Sequence, residues 1–521
     1  MDEHLKKNCQ TVNGILSNRV YWGSIINHPV LPLVVLFIFS LLPIYYASLR
    51  WPYLKDDFFI TLTYSKNIAL GRGFVYNYGE PTFGSTTPLL VLIGAVLGLL
   101  LPWFPLHSLA TLFTALCLAG IGWIFLLFHK HFRISPWVAA FLGSSLIISS
   151  DPEFLGMEAY LFQFLLVLSC ALAFCRCYLS CGVCIALLHL TRAEGVLLLP
   201  ILMTYAGIAD FVKGERDIRR LSASLLRMAI GAGVVAGIWT CYAYITFGRI
   251  TPNTLSAKLV HLEFFGDAPS FRNYWLIFLN ARFRNWGGNF NIVNVFGIAL
   301  WVLLAYGVYD VIRYRRQWMV FILYFIAHVT GYSIINVLFF RWYALPLIFI
   351  LMLLVVLGAA RLMSTVFTSK PVITTITLMA MMLILFFGAE LYRVAEQSRM
   401  NWADRRAPTY LMVASWLRNH TKPGSSVSFG EIGYIGYFTD NKIIDTAGLV
   451  SPEVIPLLAK GDIISGFLMH KPDYHIWIEG DKNWEQIIRH PFFVENYIQA
   501  ARITGPKPRE VMYIYKRKDV V

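Results

Sequence analysis

The sequence predicts a polytopic α-helical membrane protein with a small α/β domain at its C-terminal end. Three observations predict it. First, 57% of the 521 residues are hydrophobic and only 14% are charged, with a mean hydropathy of +0.59. A soluble globular chain of this length needs far less apolar side chain. Second, the Lys and Arg residues behind the net charge of +14 and the pI near 9.3 fall in short clusters between apolar runs. That is the positive-inside pattern of a membrane protein, and it argues against a nucleic-acid partner, which needs a continuous basic face. Third, the apolar runs stop near Arg393, where mixed polar and apolar sequence with Gly and Pro punctuation begins.

Taken in order, residues 1–28 are polar and carry Lys6, Lys7 and Arg19, so the N-terminus is expected inside. Pro29 to Leu49 is long enough to cross a bilayer and lacks a small-residue cleavage site, so it reads as an uncleaved first span. A first outer loop, 50–106, follows. Its apolar part, Leu89 to Leu106, is interrupted by Pro102 and Pro105 and reads as interfacial helix, not a crossing. Spans at about 107–128, 135–149 and 158–175 come next. The stretch Ser180 to Val212 is too long for one crossing at 1.5 Å per residue, and the polar break Thr191-Arg192-Ala193-Glu194-Gly195 divides it in two. Further spans are expected at about 225–246, 292–312, 318–337, 343–360 and 372–391, with a second outer loop at 247–291.

About eleven transmembrane helices result, plus interfacial helices in the first outer loop. Each strong basic cluster, His129–Arg133, Lys213–Arg220 and Arg313–Arg316, then falls inside. The membrane module is 1–392. Residues 393–521 form an extracytoplasmic α/β domain, with a helix at Pro408–His420 and strands at Ser425–Phe429, Lys442–Asp445, His475–Ile478 and Val511–Tyr515. The clustered Cys170, Cys175, Cys177, Cys181 and Cys184 have no His or acid among them, so no metal site is expected.

Chemistry is expected on the outer face, where acids and bases converge. Asp56 and Asp57 open a polar loop, Tyr53 to Pro88, rich in Gly, Asn and aromatics. Ionisable groups at a membrane boundary are functional candidates by default. The same loop supplies Asn77 and Glu80. Glu158 begins a span, Arg192 and Glu194 lie in the polar break, Asn253 and Lys258 open the second loop, and Arg341 is flanked by aromatics. A carboxylate here can act as general base on a hydroxyl, and an Arg or Lys can hold a lipid phosphate. Each residue also has a plain structural reading. Glu158 can cap a helix, Arg192 and Glu194 can form a local ion pair, and Lys258 and Arg341 can snorkel. Trp286, Trp342 and Tyr343 can form an interface belt, and His328 can pack between helices.

These residues resemble a family. Asp56-Asp57-Phe58-Phe59-Ile60-Thr61-Leu62-Thr63-Tyr64-Ser65-Lys66-Asn67, then Gly71-Arg72-Gly73-Phe74-Val75-Tyr76-Asn77 and Gly79-Glu80-Pro81, look like the first outer loop of polyprenyl-phosphate-sugar-dependent glycosyltransferases of the C superfamily (GT-C). The likeness is strongest to the terminal arabinofuranosyltransferase branch. Gly156-Met157-Glu158, Leu190-Thr191-Arg192-Ala193-Glu194-Gly195, Thr251-Pro252-Asn253-Thr254 with Lys258, and Asp445-Thr446-Ala447-Gly448-Leu449 are similar to that branch too. Two departures stand out: Ala193 replaces a frequent Pro, and Phe340-Arg341-Trp342-Tyr343 matches loosely.

The resemblance implies inverting transfer of one sugar from a polyprenyl-phosphate donor to a hydroxyl of a glycan, lipid or protein. Asp56, by position, would be the general base, with Asp57 beside it. Arg192, Lys258 and Arg341 are the phosphate-binding candidates. Asn77, Glu80, Glu158, Glu194 and Asn253 are the substrate-binding candidates. No cofactor is expected, with a divalent ion left open. A monomer among membrane lipids is expected, in the bacterial inner membrane. The competing readings are a lipid-linked-sugar flippase or transporter, and an envelope assembly protein. A transporter predicts inverted repeats and mid-span polar residues, and the sequence shows neither. An assembly protein needs far fewer spans than eleven.

Overall fold

The computed structural model describes residues 30–50, 54–212, 218–264, 266, 269–285, 292–366, 406–506 and 510–520. The N-terminal polar segment, Trp286 and the eleventh expected span, 372–391, lie outside the described residues. Every other expected span coincides with a helix. In chain order the helices are α1 (Leu31–Arg50), α2 (Asp56–Ala69), α3 (Pro88–Leu100), α4 (Leu106–Leu127), α5 (Pro136–Ser149) and α6 (Ala159–Phe174). Then come α7 (Tyr178–Thr191), α8 (Leu198–Val212), α9 (Ile218–Phe247), α10 (Asn253–Phe264) and α11 (Phe271–Asn285). The bundle ends with α12 (Ile292–Arg313), α13 (Met319–Ile335) and α14 (Arg341–Val366).

The chain is a multi-pass membrane protein. Among the described residues, five helical segments are long and apolar enough to cross a bilayer alone: Leu31–Ser48, Leu106–Leu127, Leu221–Phe247, Arg316–Ile335 and Arg341–Val366. The others are shorter. α3 has 13 residues, about 20 Å at 1.5 Å each, against a hydrocarbon core of about 30 Å. It ends where Pro102 and Pro105 interrupt the apolar run.

α14 is apolar all round, and its apolar window is buried along its whole length. A helix with no polar face belongs at the centre of a bundle, and α14 forms the central post. α12 crosses it at Gly307 and Gly358. A Cβ on either glycine would strike a backbone carbonyl of the other helix, that of Leu354 or Leu303. Small residues at such crossings let backbones approach closely, which is how helices associate in lipid. α9 by contrast has 17% of its apolar window buried, which suits a helix facing lipid.

The C-terminal domain begins with α15 (Ala407–His420) and contains α16 (Gly433–Phe438) and α17 (Ile463–His470). Its strands are β1 (Ser426–Phe429), β2 (Lys442–Asp445), β3 (Tyr474–Ile478), β4 (Tyr497–Thr504) and β5 (Val511–Arg517). They form one sheet in the order β2-β1-β3-β5-β4. β1 is parallel to β2 and β3, while β5 is antiparallel to β3 and β4. The four expected strands are present. β4 is an addition: it is an edge strand with an irregularity between Gln499 and Ala501, and mainly Tyr497 and Ile503 are buried. Without alternation it carries no period-2 signal.

The domain is docked on the bundle through α2. Phe59 lies 4.3 Å from Tyr434, 5.2 Å from Tyr437 and 5.3 Å from Phe438 between ring centroids. The Tyr76 hydroxyl donates to Ile432 O at 2.8 Å, and Lys66 Nζ to Tyr437 O at 3.0 Å. The bundle end that carries this domain is called the domain face below.

Candidate functional site

Asp56 and Asp57 form the first turn of α2, where negative charge complements the helix dipole. Consecutive helix residues lie about 100° apart, so the two carboxylates part company. Asp56 turns into the C-terminal domain. Its Oδ2 accepts from Gly433 N at 2.9 Å and its Oδ1 from Tyr434 N at 2.8 Å. The Tyr434 hydroxyl returns a bond to Leu54 O at 2.6 Å. A Cβ at position 433 would strike the Asp56 carbonyl, so only glycine permits this approach. Burial, with Glu431 nearby, pushes the Asp56 pKa well above the carboxylate range despite the two N–H donors. Asp57 stays partly exposed and lies on the side of Lys258.

Lys258 sits on α10. Its Nζ is 5.6 Å from the ring centroid of Phe340, 6.0 Å from Trp342 and 5.4 Å from Tyr343. Phe340 and Trp342 stack at 4.4 Å, extending this aromatic surface. Burial works against the ammonium, but Tyr343 and the Asp57 carboxylate outweigh it and the Lys258 pKa ends above its ordinary value. Among the described residues no carboxylate reaches Lys258 at ion-pair distance.

The other two basic candidates are engaged. Arg192 is buried, with Nε 2.5 Å from Glu194 Oε1 and Nη1 3.0 Å from Glu158 Oε1. It also donates to the Tyr332 hydroxyl at 3.3 Å and to Trp342 O at 3.4 Å. The expected local pair with Glu194 is present, and Glu158 joins it from α6. Arg341 bonds Asp151 at 2.9 Å and Glu153 at 2.8 Å, and Lys55 pairs with the same Glu153. Arg341 lines a narrow cleft whose walls also include Leu146, Phe278, Leu345 and Met352. His328 packs as expected, with Nε2 3.0 Å from Tyr343 O.

The remaining candidates are committed to joining loops, a departure from their expected substrate contacts. Asn77 brackets β2, donating to Ile443 O at 2.8 Å and accepting from Ile443 N at 2.9 Å. Glu80 pairs with Lys442. Asn253 donates its backbone N–H to Phe83 O at 2.8 Å, and its side chain accepts from Arg249. An Asn beside a glycine-rich turn reads alike whether it binds a ligand or a neighbouring strand, so local sequence does not separate these roles. Tyr332, Gly433, Tyr434 and His261 went unnoticed because their partners are distant in the chain. Asp151 and Glu153 were visible at a span end, but nothing there pointed to Arg341.

The arrangement therefore unites what was expected to converge, from α2, α6, the α7–α8 break, α10, α13 and the start of α14. It offers one carboxylate, one ammonium and an aromatic surface in a single place. A family model described as a domain of unknown function (DUF8728) matches residues 395–515. No curated protein matches the chain. Among solved structures, ArnT from Cupriavidus metallidurans, bound to undecaprenyl phosphate, matches with a TM-score of 0.56 at 13% identity, covering 93% of this chain and 97% of its own. The Archaeoglobus fulgidus oligosaccharyltransferase, in complex with Zn and sulfate, gives a TM-score of 0.49 at 10% identity, covering 85% and 67%. The chain has the fold of ArnT over nearly its whole length.

Proposed function

We propose that this chain is a membrane glycosyltransferase that moves one sugar from a polyprenyl-phosphate donor to a hydroxyl acceptor. The observation that carries the reading is Lys258 held against the Phe340–Tyr343 aromatic surface, with the Asp57 carboxylate favouring its charged form. It sits in a fold shared with a protein that binds undecaprenyl phosphate.

Asp57 serves as general base. Asp56 has both oxygens on backbone N–H groups, which leaves it poorly placed to take a proton, so the base role passes from Asp56 to its neighbour. Asp57 removes the acceptor's hydroxyl proton. The acceptor oxygen then attacks the anomeric carbon, and the bond from that carbon to the phosphate oxygen breaks. The electron pair leaves on the polyprenyl phosphate. A single displacement inverts the anomeric centre. Lys258 holds the phosphate and stabilises its growing charge. Arg192 and Arg341 each already face two carboxylates, so neither has a charge to spare. They shape the site around Lys258.

The sugar is a hexose or pentose, and the likeness of the loop motifs to arabinofuranosyltransferases makes a pentofuranose the first to try. The acceptor is a cell-envelope glycan, lipid or protein, in a bacterial inner membrane with the C-terminal domain outside. Neither a metal nor a cofactor has a part in this mechanism. Mass spectrometry of envelope glycans from a deletion strain identifies the sugar. Purified protein in nanodiscs then tests the chemistry: Asp57→Asn abolishes transfer to that acceptor while undecaprenyl phosphate still binds. Full turnover by Asp57→Asn overturns the assignment.

A further inference from the structure

The helix that bears Lys258 is fixed at both ends by other parts of the chain. At its start the Thr254 hydroxyl donates to Gly84 O at 2.5 Å and Asn253 N to Phe83 O at 2.8 Å. At its end Val260 and Phe264 pack on the cluster of Val454, Leu458 and Ile463 in the C-terminal domain. Between these stands His261, one turn beyond Lys258. It is buried, and its Nε2 lies 2.7 Å from Ala447 O. That carbonyl belongs to a turn held rigidly from within. Asp445 accepts from Ala447 N at 2.8 Å, Leu449 N at 2.5 Å and Val450 N at 3.0 Å, and Thr446 N donates to Phe429 O of β1 at 3.1 Å.

We infer that His261 is a positioning residue through which the C-terminal domain sets the place of Lys258 and hence the affinity for a lipid phosphate. The inference rests on the glycosyltransferase reading, in which Lys258 meets that phosphate. Residues three apart on a helix share a face. The hydrogen bond that His261 donates to a locked turn therefore restricts the axial rotation and slide that would carry Lys258 off its aromatic surface. The donor must be the Nε2–H tautomer, because a carbonyl only accepts. Burial keeps the ring neutral by lowering its pKa, so no second positive charge stands beside the ammonium.

The probe is undecaprenyl phosphate binding to the full chain in nanodiscs, read with the melting midpoint of the same preparations. His261→Leu keeps bulk and removes the donor. His261→Gln keeps an N–H that can reach Ala447 O. Lys258→Gln reports on the phosphate contact itself. The expected result is weaker binding by His261→Leu, about 5- to 10-fold as for one net hydrogen bond of ~1 kcal/mol, with recovery in His261→Gln at an equal melting midpoint. A weakened Lys258→Gln beside a wild-type His261→Leu overturns the inference and leaves the function standing. Wild-type binding by Lys258→Gln sinks the phosphate reading itself. Equal weakening of both His261 variants also overturns the inference, since bulk rather than the hydrogen bond would then be at issue.

Discussion

At the domain face, Arg192 and Arg341 are each held by two carboxylates while Lys258 is left on an aromatic surface. At the opposite end of the bundle, Asp310 is held by Arg315 and by Arg361 at 3.7 Å, and the Tyr314 ring covers Arg361 at 4.1 Å. Nearby, Gln317 donates to His131 O at 2.7 Å and Trp318 Nε1 to Phe132 O at 2.9 Å. Both ends gather charge where helices meet water or headgroups. In the second cluster these contacts tie helices together. In the first, Lys258 is set against aromatic rings, with the Asp57 carboxylate favouring its charged form. Charge density alone does not mark a site. The mark is a charged group that its neighbours orient without neutralising it.

Substitutions that separate working groups from tying groups sharpen this comparison. The largest effect is expected at Asp57. Asp57→Asn should lower transfer by about 10²- to 10⁴-fold, the contribution of a general base, in single-turnover assays, with an unchanged melting midpoint. At the opposite end Asp310→Ala should cost about 1–3 kcal/mol of stability, because it removes the buried carboxylate that holds the half-buried Arg315 and Arg361, while undecaprenyl phosphate affinity stays as in wild type. Loss of affinity there would break the distinction between the two ends.

Lys258→Gln comes next. A hydrogen bond to a charged group is worth about 1.5–3 kcal/mol, so titration with undecaprenyl phosphate should show binding weakened by roughly 10- to 100-fold. Asp56→Asn should be a tying variant despite its address. An amide offers one acceptor where two N–H groups need satisfying, so about 1–3 kcal/mol of docking stability should be lost, read by hydrogen exchange at residues 432–438. A purely catalytic defect with intact exchange protection would restore Asp56 as the base.

A separate effect is a slope with pH. His475 is buried in the C-terminal sheet against the Ser428 hydroxyl, and burial lowers its pKa to about 3. A lowered imidazole pKa means the unfolded chain binds the extra proton first. Stability is then fully present above about 6.5 and falls as pH drops toward 3, by about 1.4 kcal/mol per unit. Denaturant titrations of the C-terminal domain signal across that range should show the slope. The pair Ser428→Ala with His475→Phe should flatten it, and an unaltered slope would exclude His475 as its source.

How much was legible follows from the range of each interaction. Spans were visible because a bilayer demands about 20 apolar residues in a row, and basic clusters bracket them. The helix and four strands of the C-terminal domain were visible in local periodicity, whereas β4 had none. The outer loop declared itself through adjacent acids and left-handed glycines such as Gly71, Gly73 and Gly79. The charged candidates Asp56, Asp57, Arg192, Lys258 and Arg341 drew attention in the sequence because boundary charges are costly and few, whereas Tyr332, Gly433 and His261 carried no such signal.

The division of labour among those residues was decided only in three dimensions. Asp56 and Asp57 are chemically identical neighbours. One is taken by Gly433 and Tyr434, far along the chain, and the other is left facing Lys258. The same holds for the cations: Arg192, Lys258 and Arg341 look alike in sequence until Glu158, Asp151 and Glu153 arrive from other helices. The covalent chain sets which charges exist and near which membrane boundary they lie, because hydropathy acts residue by residue. Which charges are neutralised depends on contacts of a few ångströms between distant segments, and only the tertiary fold supplies those.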